Sequence, residues 1–495
     1  MSEILPNNWI KTTVGEVSNR ITKGSTPTSY GFSYKKDGIK FIKTENVDQN
    51  GNIHNIKTYI DEETNKFLKR SILKKNDILF SIAGTIGRVG IVKENDLPAN
   101  TNQALAIIRS SWDLIDVRYL FYLLRSNYAQ RQASGSIVGV GRANVSLTNI
   151  SDFKIPLPPL PEQHHIVAKI EELFTRLDTG LEALKQVQAQ LRRYRQSVLK
   201  AAVEGRLTAA WREQHKDELE PAKKLLDRIQ SERKAKLGKK YKEPISVDTF
   251  DLPKLPEGWA WATWEQILSS DEGSFKRGPF GSSLKKSMFV ESGYKVYEQY
   301  CPINDDCSFA RYYITKEKFL EMKAFSVREN DFLISCSGTL GRITQVPKEY
   351  DEGIINQALL RVRINESVVT SPFFIKLFRS PYFQKQIFAQ STGTAIPNVK
   401  GVKELKAIPV PLPSLLDQRI IVSEIERLFS ILDKSESTIE YELKRAQSLR
   451  QSILKRAFEG KLVPQDPNDE PASVLLRRIK AEKAKTKKSK QLEMF

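Results

Sequence analysis

Residues 155–174 read IPLPPLPEQHHIVAKIEELF, and residues 408–429 read IPVPLPSLLDQRIIVSEIERLF. Each opens as an extended, proline-dense segment and then turns helical. Proline is tolerated at a strand end and in the first turn of a helix but not in a helix interior, so each cluster marks a helix start. Beyond it, apolar residues alternate at spacings of four and three: Ile166, Ile170, Leu173, Leu177, then Leu184, Val187, Leu191, Tyr194 and Val198. An a/d seam sustained over several heptads is the pattern of a helix packed along another helix. The second stretch carries Ile421, Ile425, Leu428, Leu432, Ile439, Leu449 and Ile453 in the same frame. Gly180 and Ser435 interrupt the two seams at equivalent positions, and Glu442 and Ala446 weaken the second further. Two independent coiled coils binding other proteins would also give such seams. Their match in length and frame within one chain favours pairing with each other, as helices of about 40 residues and about 60 Å.

Outward from these helices, the whole chain is one pattern written twice, at a period of roughly 250 residues, far longer than a solenoid unit. Leu5-Pro6 with Trp9 returns as Leu255-Pro256 with Trp259. NDILFSIAGTIGR (76–88) returns as NDFLISCSGTLGR (330–342), and NQAL at 102–105 returns at 356–359. An aromatic segment ending in Arg-Ser follows in each half, YLFYLLRS from Tyr119 and FFIKLFRS from Phe373, then a polar loop reaching Asn144-Val145 and Asn398-Val399. The long helices end in SVLKAAVEGRL and SILKRAFEGKL, and basic stretches opening EPAKKLLDRI and EPASVLLRRI close each half. The order is therefore A-B-A′-B′: globular regions at 1–157 and 246–411, helical regions at 158–245 (with a basic linker) and 412–495 (with a basic tail). Short β-branched and aromatic runs such as ILFSI and KVYEQY, broken by Gly and Asn turns, mix with helical stretches such as 116–128. The fold class expected is α+β, two globular domains separated by two long paired helices.

A chain of 495 residues is too long for one ordinary core. With 78 Lys and Arg against 59 Asp and Glu, the formal charge is +19, which points to a polyanionic partner, since each neutralised phosphate releases counterions. Cys301, Cys307 and Cys336 form no CxxC pair, which fits a reduced, cytoplasmic protein without a cysteine zinc site. No apolar run is long enough to span a bilayer, so no membrane partner is expected. There is no GxxxxGK[ST] phosphate loop, and Gly139-Val140-Gly141 lacks the third glycine of a dinucleotide or S-adenosylmethionine turn. A nuclease-type site from Asp305 or Asp306 with Glu321 and Lys323 has no counterpart in the other half, and ExK recurs by chance at Glu442–Lys444. His164-His165 is replaced by Arg419-Ile420 in the repeat, so it reads as helix surface rather than a ligand pair. No catalytic residue, metal or cofactor is expected.

What remains is a set of polar, basic loops. Base readout needs side chains that reach base edges, together with cations and amides that grip phosphates. The early loop ITKGSTPTSYGFSYKK offers Lys23, Ser25, Thr26 and Lys35, while FKRGPFGSSLKKS offers Lys276, Arg277, Ser282, Ser283, Lys285 and Lys286. GTxGR supplies Thr85 with Arg88, and Thr339 with Arg342. The later loops supply Arg142 and Asn144, and Asn398 and Lys400. GTxGR reads equally as a plain hairpin turn whose glycines serve positive φ. A coiled-coil scaffold organising partner proteins, with incidental DNA binding, is the alternative. It needs no basic, mutually divergent loops, and such loops are present.

The proline-rich lead-ins with ELF and RLF, the EGRL and EGKL endings and the LPxxW starts together resemble the specificity subunit of type I restriction-modification systems, over essentially the whole chain. That resemblance implies two target recognition domains, antiparallel conserved helices and no catalysis in this chain. It further implies double-stranded DNA as ligand, and as partners two modification subunits, which use S-adenosylmethionine to methylate adenine, and restriction subunits using ATP and Mg²⁺. Different loops in the two globular domains imply a two-part, asymmetric target, with the helices fixing an unread gap.

Overall fold

The computed structural model describes residues 5–110, 113–136, 144–280, 283–388 and 399–492, with side chains to residue 485. The long helices run Leu160–Val203 and Leu415–Phe458, 44 residues each. The chain divides into two units that do not follow its linear order: Met1–Lys185 with Glu440–Phe495, and Gln186–Ile439. In the first unit, the opening half of the first long helix lies with the closing half of the second. In the second unit the halves are exchanged, so the helices pair antiparallel.

The seam differs in detail from the apolar count. Val187 and Tyr194 are 42% and 50% exposed, and Leu449 is 47% exposed. Their neighbours Gln188, Arg195 and Arg450 are the more covered, and the two arginines reach across the seam. The two arginines occupy equivalent positions and act alike. Arg450 lies 5.0 Å over the Phe174 ring and pairs with Asp178 in the first unit. In the second unit Arg195 lies 4.7 Å over Phe429 and pairs with Asp433 at 2.5 Å and Glu436 at 3.2 Å. A long alkyl stem with a planar cation can cover a ring as an apolar residue does, so arginine holds a seam position that hydrophobicity alone assigns elsewhere.

Each unit builds its globular domain around a four-stranded antiparallel sheet. In the first the order is Ser18–Lys23, Leu105–Ser110, Ile78–Ser81, Val89–Ile91. In the second it is Phe275–Arg277, Leu359–Val362, Phe332–Ser335, Ile343–Gln345. A smaller sheet accompanies each, with Ile39–Ile42 parallel to Ala99–Thr101, and Tyr294–Tyr297 parallel to Gly353–Ile355. The ILFS and FLIS strands are buried at every position because both of their faces are covered. One covering layer is the aromatic helix, Val117–Arg125 or Ser371–Arg379, which shares its core with the start of a long helix through Ile166 and Ile170 or Ile421 and Ile425. The repeated Asn-Asp has a structural cause. Asn76 and Asn330 take positive φ (67° and 63°), while buried Asp77 and Asp331 grip Arg109 and Arg363, each with an Nε contact of 2.6 Å.

The repeated motifs at the chain junctions converge. The indole N–H of Trp9 donates to Glu162 at 2.8 Å, and that of Trp259 donates to Asp417 at 2.8 Å, tying each domain start to a long-helix start. Gly205 and Gly460, both at φ 69°, end the long helices where a Cβ would press on Pro256 or Pro6 at 2.4 Å. Gln163 and Gln418 accept from the backbone N–H of Asp116 and Thr370 at the foot of the aromatic helices. Within the basic stretches, Ala222–Leu237 and Ala472–Leu492 are helices. They bury Ala222, Leu225 and Ile229, or Ala472, Leu475 and Ile479, against the domain cores.

Candidate nucleic-acid interface

Antiparallel neighbours put alternate strand termini at the same end of a sheet. Lys23 ends one strand, Leu105 begins the next, Ser81 ends the third and Val89 begins the fourth. The loop after Lys23, the Asn102–Ala104 turn and the 82–88 hairpin therefore leave from one end, and Asn144 joins them by bridging Ala83. In the second unit Arg277, Leu359, Ser335 and Ile343 define the corresponding end. Close packing there requires glycine. A Cβ on Gly24 would sit 2.0 Å from the Thr101 carbonyl oxygen, and one on Gly278 would sit 1.8 Å from that of Asn356. The basic-Gly step is thus the point where the early loop crosses the Asn-Gln turn.

GTxGR is a hairpin turn, with Gly84, Gly87, Gly338 and Gly341 all at positive φ. Gln130 fixes the first hairpin by donating to the carbonyls of Gly87 at 2.9 Å and Leu124 at 2.7 Å. Gln384 does the same for Gly341 at 3.2 Å and Phe378 at 2.7 Å. Both glutamines recur at matched positions, a repeat signal that the motif reading passed over. They aim exposed Thr85 and Thr339 outward from the turn.

The other expected residues separate by environment. Lys35, Asn144, Ser283, Lys285, Lys286 and Arg342 are exposed, whereas Lys23, Ser25, Thr26, Arg88, Lys276, Arg277 and Lys400 are partly covered. Arg88 turns back to donate to the carbonyls of Thr44 at 3.4 Å and Val47 at 3.2 Å, so it braces its own domain while Arg342 does not. Lys35 pairs with Asp61 at 3.2 Å, and hydrogen bonds from Thr64, with Lys35 beside it, hold the Asp61 carboxyl at about 2. The Thr26 hydroxyl donates to Gln103. Lys276 and Arg277 are successive strand residues and point to opposite faces. Lys276 reaches over Phe325 at 5.0 Å and Arg277 over the 62% exposed Phe280 at 5.2 Å. Arg142, Ser282 and Asn398 lie outside the described residues.

The residues weighed for catalysis have other engagements. Asp305 accepts from Thr344 at 2.6 Å and pairs with Arg379 at 3.1 Å, Asp306 accepts from Ser308, and Glu321 pairs with Lys318. His164 and His165 are exposed on their helix, and among the described residues no three His, Cys, Asp or Glu side chains group to hold a metal. No described helix is long and apolar enough to cross a membrane.

Residues 6–189 and 281–445 match the type I restriction modification DNA specificity domain. The chain belongs to this family. It is 28% identical over 489 residues to the type I restriction enzyme EcoBI specificity subunit of Escherichia coli, covering 97% of this chain and 93% of that one. It is 24% identical over 503 residues to the EcoKI specificity subunit of Escherichia coli strain K12, covering 97% and 96%. The fold matches the HsdS subunit from Thermoanaerobacter tengcongensis at a TM-score of 0.52, with 19% identity over 92% of this chain and 98% of that one. It matches a chain from a type I restriction-modification complex-assembly study at 0.61, with 18% identity over 92% and 99%. As a type I specificity subunit the protein recognises DNA sequence and is non-catalytic, the enzymatic activities lying in other subunits. The two long helices and paired globular domains expected from the repeat are those of this fold.

Proposed function

We propose that this specificity subunit reads a two-part, asymmetric DNA target, one half per globular domain, while docking two modification subunits and the restriction subunits of its system. The observation that carries this reading is the loop-bearing sheet end, present in both units with the same strand framework and different side chains. The first unit presents Thr85 and Asn144 there, with Arg88 turned inward, and the second presents Thr339 and Arg342, while exposed Lys35, Lys285 and Lys286 lie further along the early loops. A shared scaffold with divergent polar tips suits two different half-sites. Arg277, Lys285, Lys286 and Arg342 can grip phosphates or a guanine edge, while Thr85, Thr339 and Ser283 can serve either role. In this reading the paired helices hold the two half-sites at a fixed separation, leaving the bases between unread. Genome-wide methylation mapping in cells with and without this chain tests the proposal. The expected result is loss of one two-part adenine-methylation motif with a fixed gap when the chain is absent. Methylation that persists unchanged, or a single uninterrupted motif, overturns it.

A further inference from the structure

The second unit contains a cavity of about 310 Å³ between the helix Ala222–Leu237, the segment after it and the first strand residues of the globular domain, lined by Ile229, Arg233, Lys240, Lys242, Gln266 and Phe275 among others. Arg233 is its chemical centre. One donor, Nη1, meets the Glu265 carbonyl oxygen at 3.3 Å. Nε and Nη2 are buried and meet no hydrogen-bond partner among the described residues. A buried, unmet donor on a cation is costly, and burial holds this guanidinium below its usual range.

The nearby acids are already engaged. Glu265 is taken by Lys406 at 3.0 Å and by the Ile245 backbone N–H at 3.4 Å, and Asp271 by Arg328 and Lys236. Glu243 accepts from Gln230 at 2.8 Å and Tyr241 at 3.1 Å. Lys240 and Lys242 are exposed side chains of the same lining. The lining therefore carries positive charge around a guanidinium whose Nε and Nη2 are covered and unmet.

Which edge is unmet decides the ligand class. Nε and Nη2 form the side-on pair, and this protein uses that same pair elsewhere to hold a carboxylate. Arg363 grips both oxygens of Asp331 with Nε at 2.6 Å and Nη2 at 3.0 Å, and Arg109 holds Asp77 in the same way. The counterpart in the other unit lacks this edge. Lys483 stands where Arg233 does, and its ammonium donates to the Gly15 and Glu16 carbonyls. A lysine suffices to brace this helix on its domain, so the arginine adds a capability that bracing does not need.

We propose that the Arg233 cavity is a carboxylate-binding site. It takes either a small free organic acid or a carboxylate presented by a partner protein, gripped side-on by Nε and Nη2 once the guanidinium turns that covered edge to the cavity, with Lys240 and Lys242 favouring the anion's entry. The volume suits a short organic acid or one or two residues of a chain.

The test uses the full-length protein at constant ionic strength, with succinate as probe against chloride. Succinate is expected to raise the melting midpoint by about 2–4 °C at saturation. Arg233→Gln should abolish that rise while leaving the midpoint in chloride equal or higher, because an unmet buried cation is removed. Arg233→Lys, which imitates the other unit, should keep the fold and lose the succinate response. The two sources separate in the complex with the modification subunits. A partner-supplied carboxylate predicts that the complex no longer responds to succinate and that Arg233→Gln weakens assembly several-fold. A free acid predicts an unchanged response and unchanged assembly. If succinate does nothing to the free chain and Arg233→Gln lowers its midpoint in chloride, the arginine is a structural brace and the proposal fails.

Discussion

Arg212→Ala probes the junction that joins a long-helix start to the second globular domain. Asp417 is fully buried, and the Arg212 side chain is 11% exposed. Arg212 Nη1 donates to Asp417 at 3.1 Å and Nη2 to the Gly205 carbonyl at 2.5 Å, with the guanidinium 5.4 Å over Trp259. Removing one member of a buried pair costs about 3–5 kcal/mol because the other charge is left uncompensated. Here two donors to Asp417 survive, the Thr208 hydroxyl at 2.8 Å and the Trp259 indole at 2.8 Å. Hydrogen bonds to a charged group are worth about 1.5–3 kcal/mol, so the loss should fall at the lower end, about 3 kcal/mol. For a unit of this size that is about 6–12 °C in melting midpoint. Adding Asp417→Asn to Arg212→Ala removes the orphaned charge, its amide oxygen accepting from the Trp259 indole and its NH2 donating to the Thr208 hydroxyl, which can turn to accept, and should restore about 1–2 kcal/mol. Urea denaturation followed by tryptophan fluorescence reads both variants. A loss below about 1 kcal/mol, or an asparagine that deepens the loss, would refute the claim that a desolvated charge is held at this junction.

Further expectations follow from the same geometry. At the other junction Glu162 has Trp9 but no arginine, and burial pushes its carboxyl above the ordinary value of 4.5. Its stabilising contribution is therefore full below that value and lost as pH rises through the raised one. The stability gained by Glu162→Gln should grow as pH rises above the ordinary value, and thermal melts showing a pH-independent difference would contradict this. Because Lys276 and Arg277 face opposite ways, Arg277→Ala should weaken DNA binding by the assembled methyltransferase and reduce its salt slope by about 1, with Lys276→Ala having the smaller effect. Equal effects in a binding titration against salt would place both on the interface. Inserting four residues near Gln188 adds close to one helical turn and about 6 Å, so the methylated target should keep both halves and gain one or two base pairs of gap. Best methylation at the original spacing would show that the helix does not set the gap.

The two long helices and the domain repeat were legible because apolar spacing and proline placement follow from helix and strand periodicity alone. Three features were not. Arg195 and Arg450 sit in the seam at positions where an apolar count selects Tyr194 and Leu449, since stacking on Phe429 and Phe174 is invisible to hydrophobicity. The residues after Pro221 and Pro471 read as a basic linker and tail, yet Ala222, Leu225 and Ile229, like Ala472, Leu475 and Ile479, recur at helical spacing and bury one face. The division of each long helix between two units depends on pairing distant segments, which linear order does not encode. Of the candidate site, the loops were found by composition. The inward turn of Arg88 and the opposed faces of Lys276 and Arg277 needed the backbone path.

The most direct test of sequence reading by two separate domains is an exchange. Residues 246–411 are replaced by the matching domain of a relative with a different target, the hybrid is produced with its modification subunits, and the methylated motif is mapped across the genome. The predicted result is a motif with one half changed to the donor's and the other half and the gap retained. A motif unchanged in both halves, or changed in both, would contradict it.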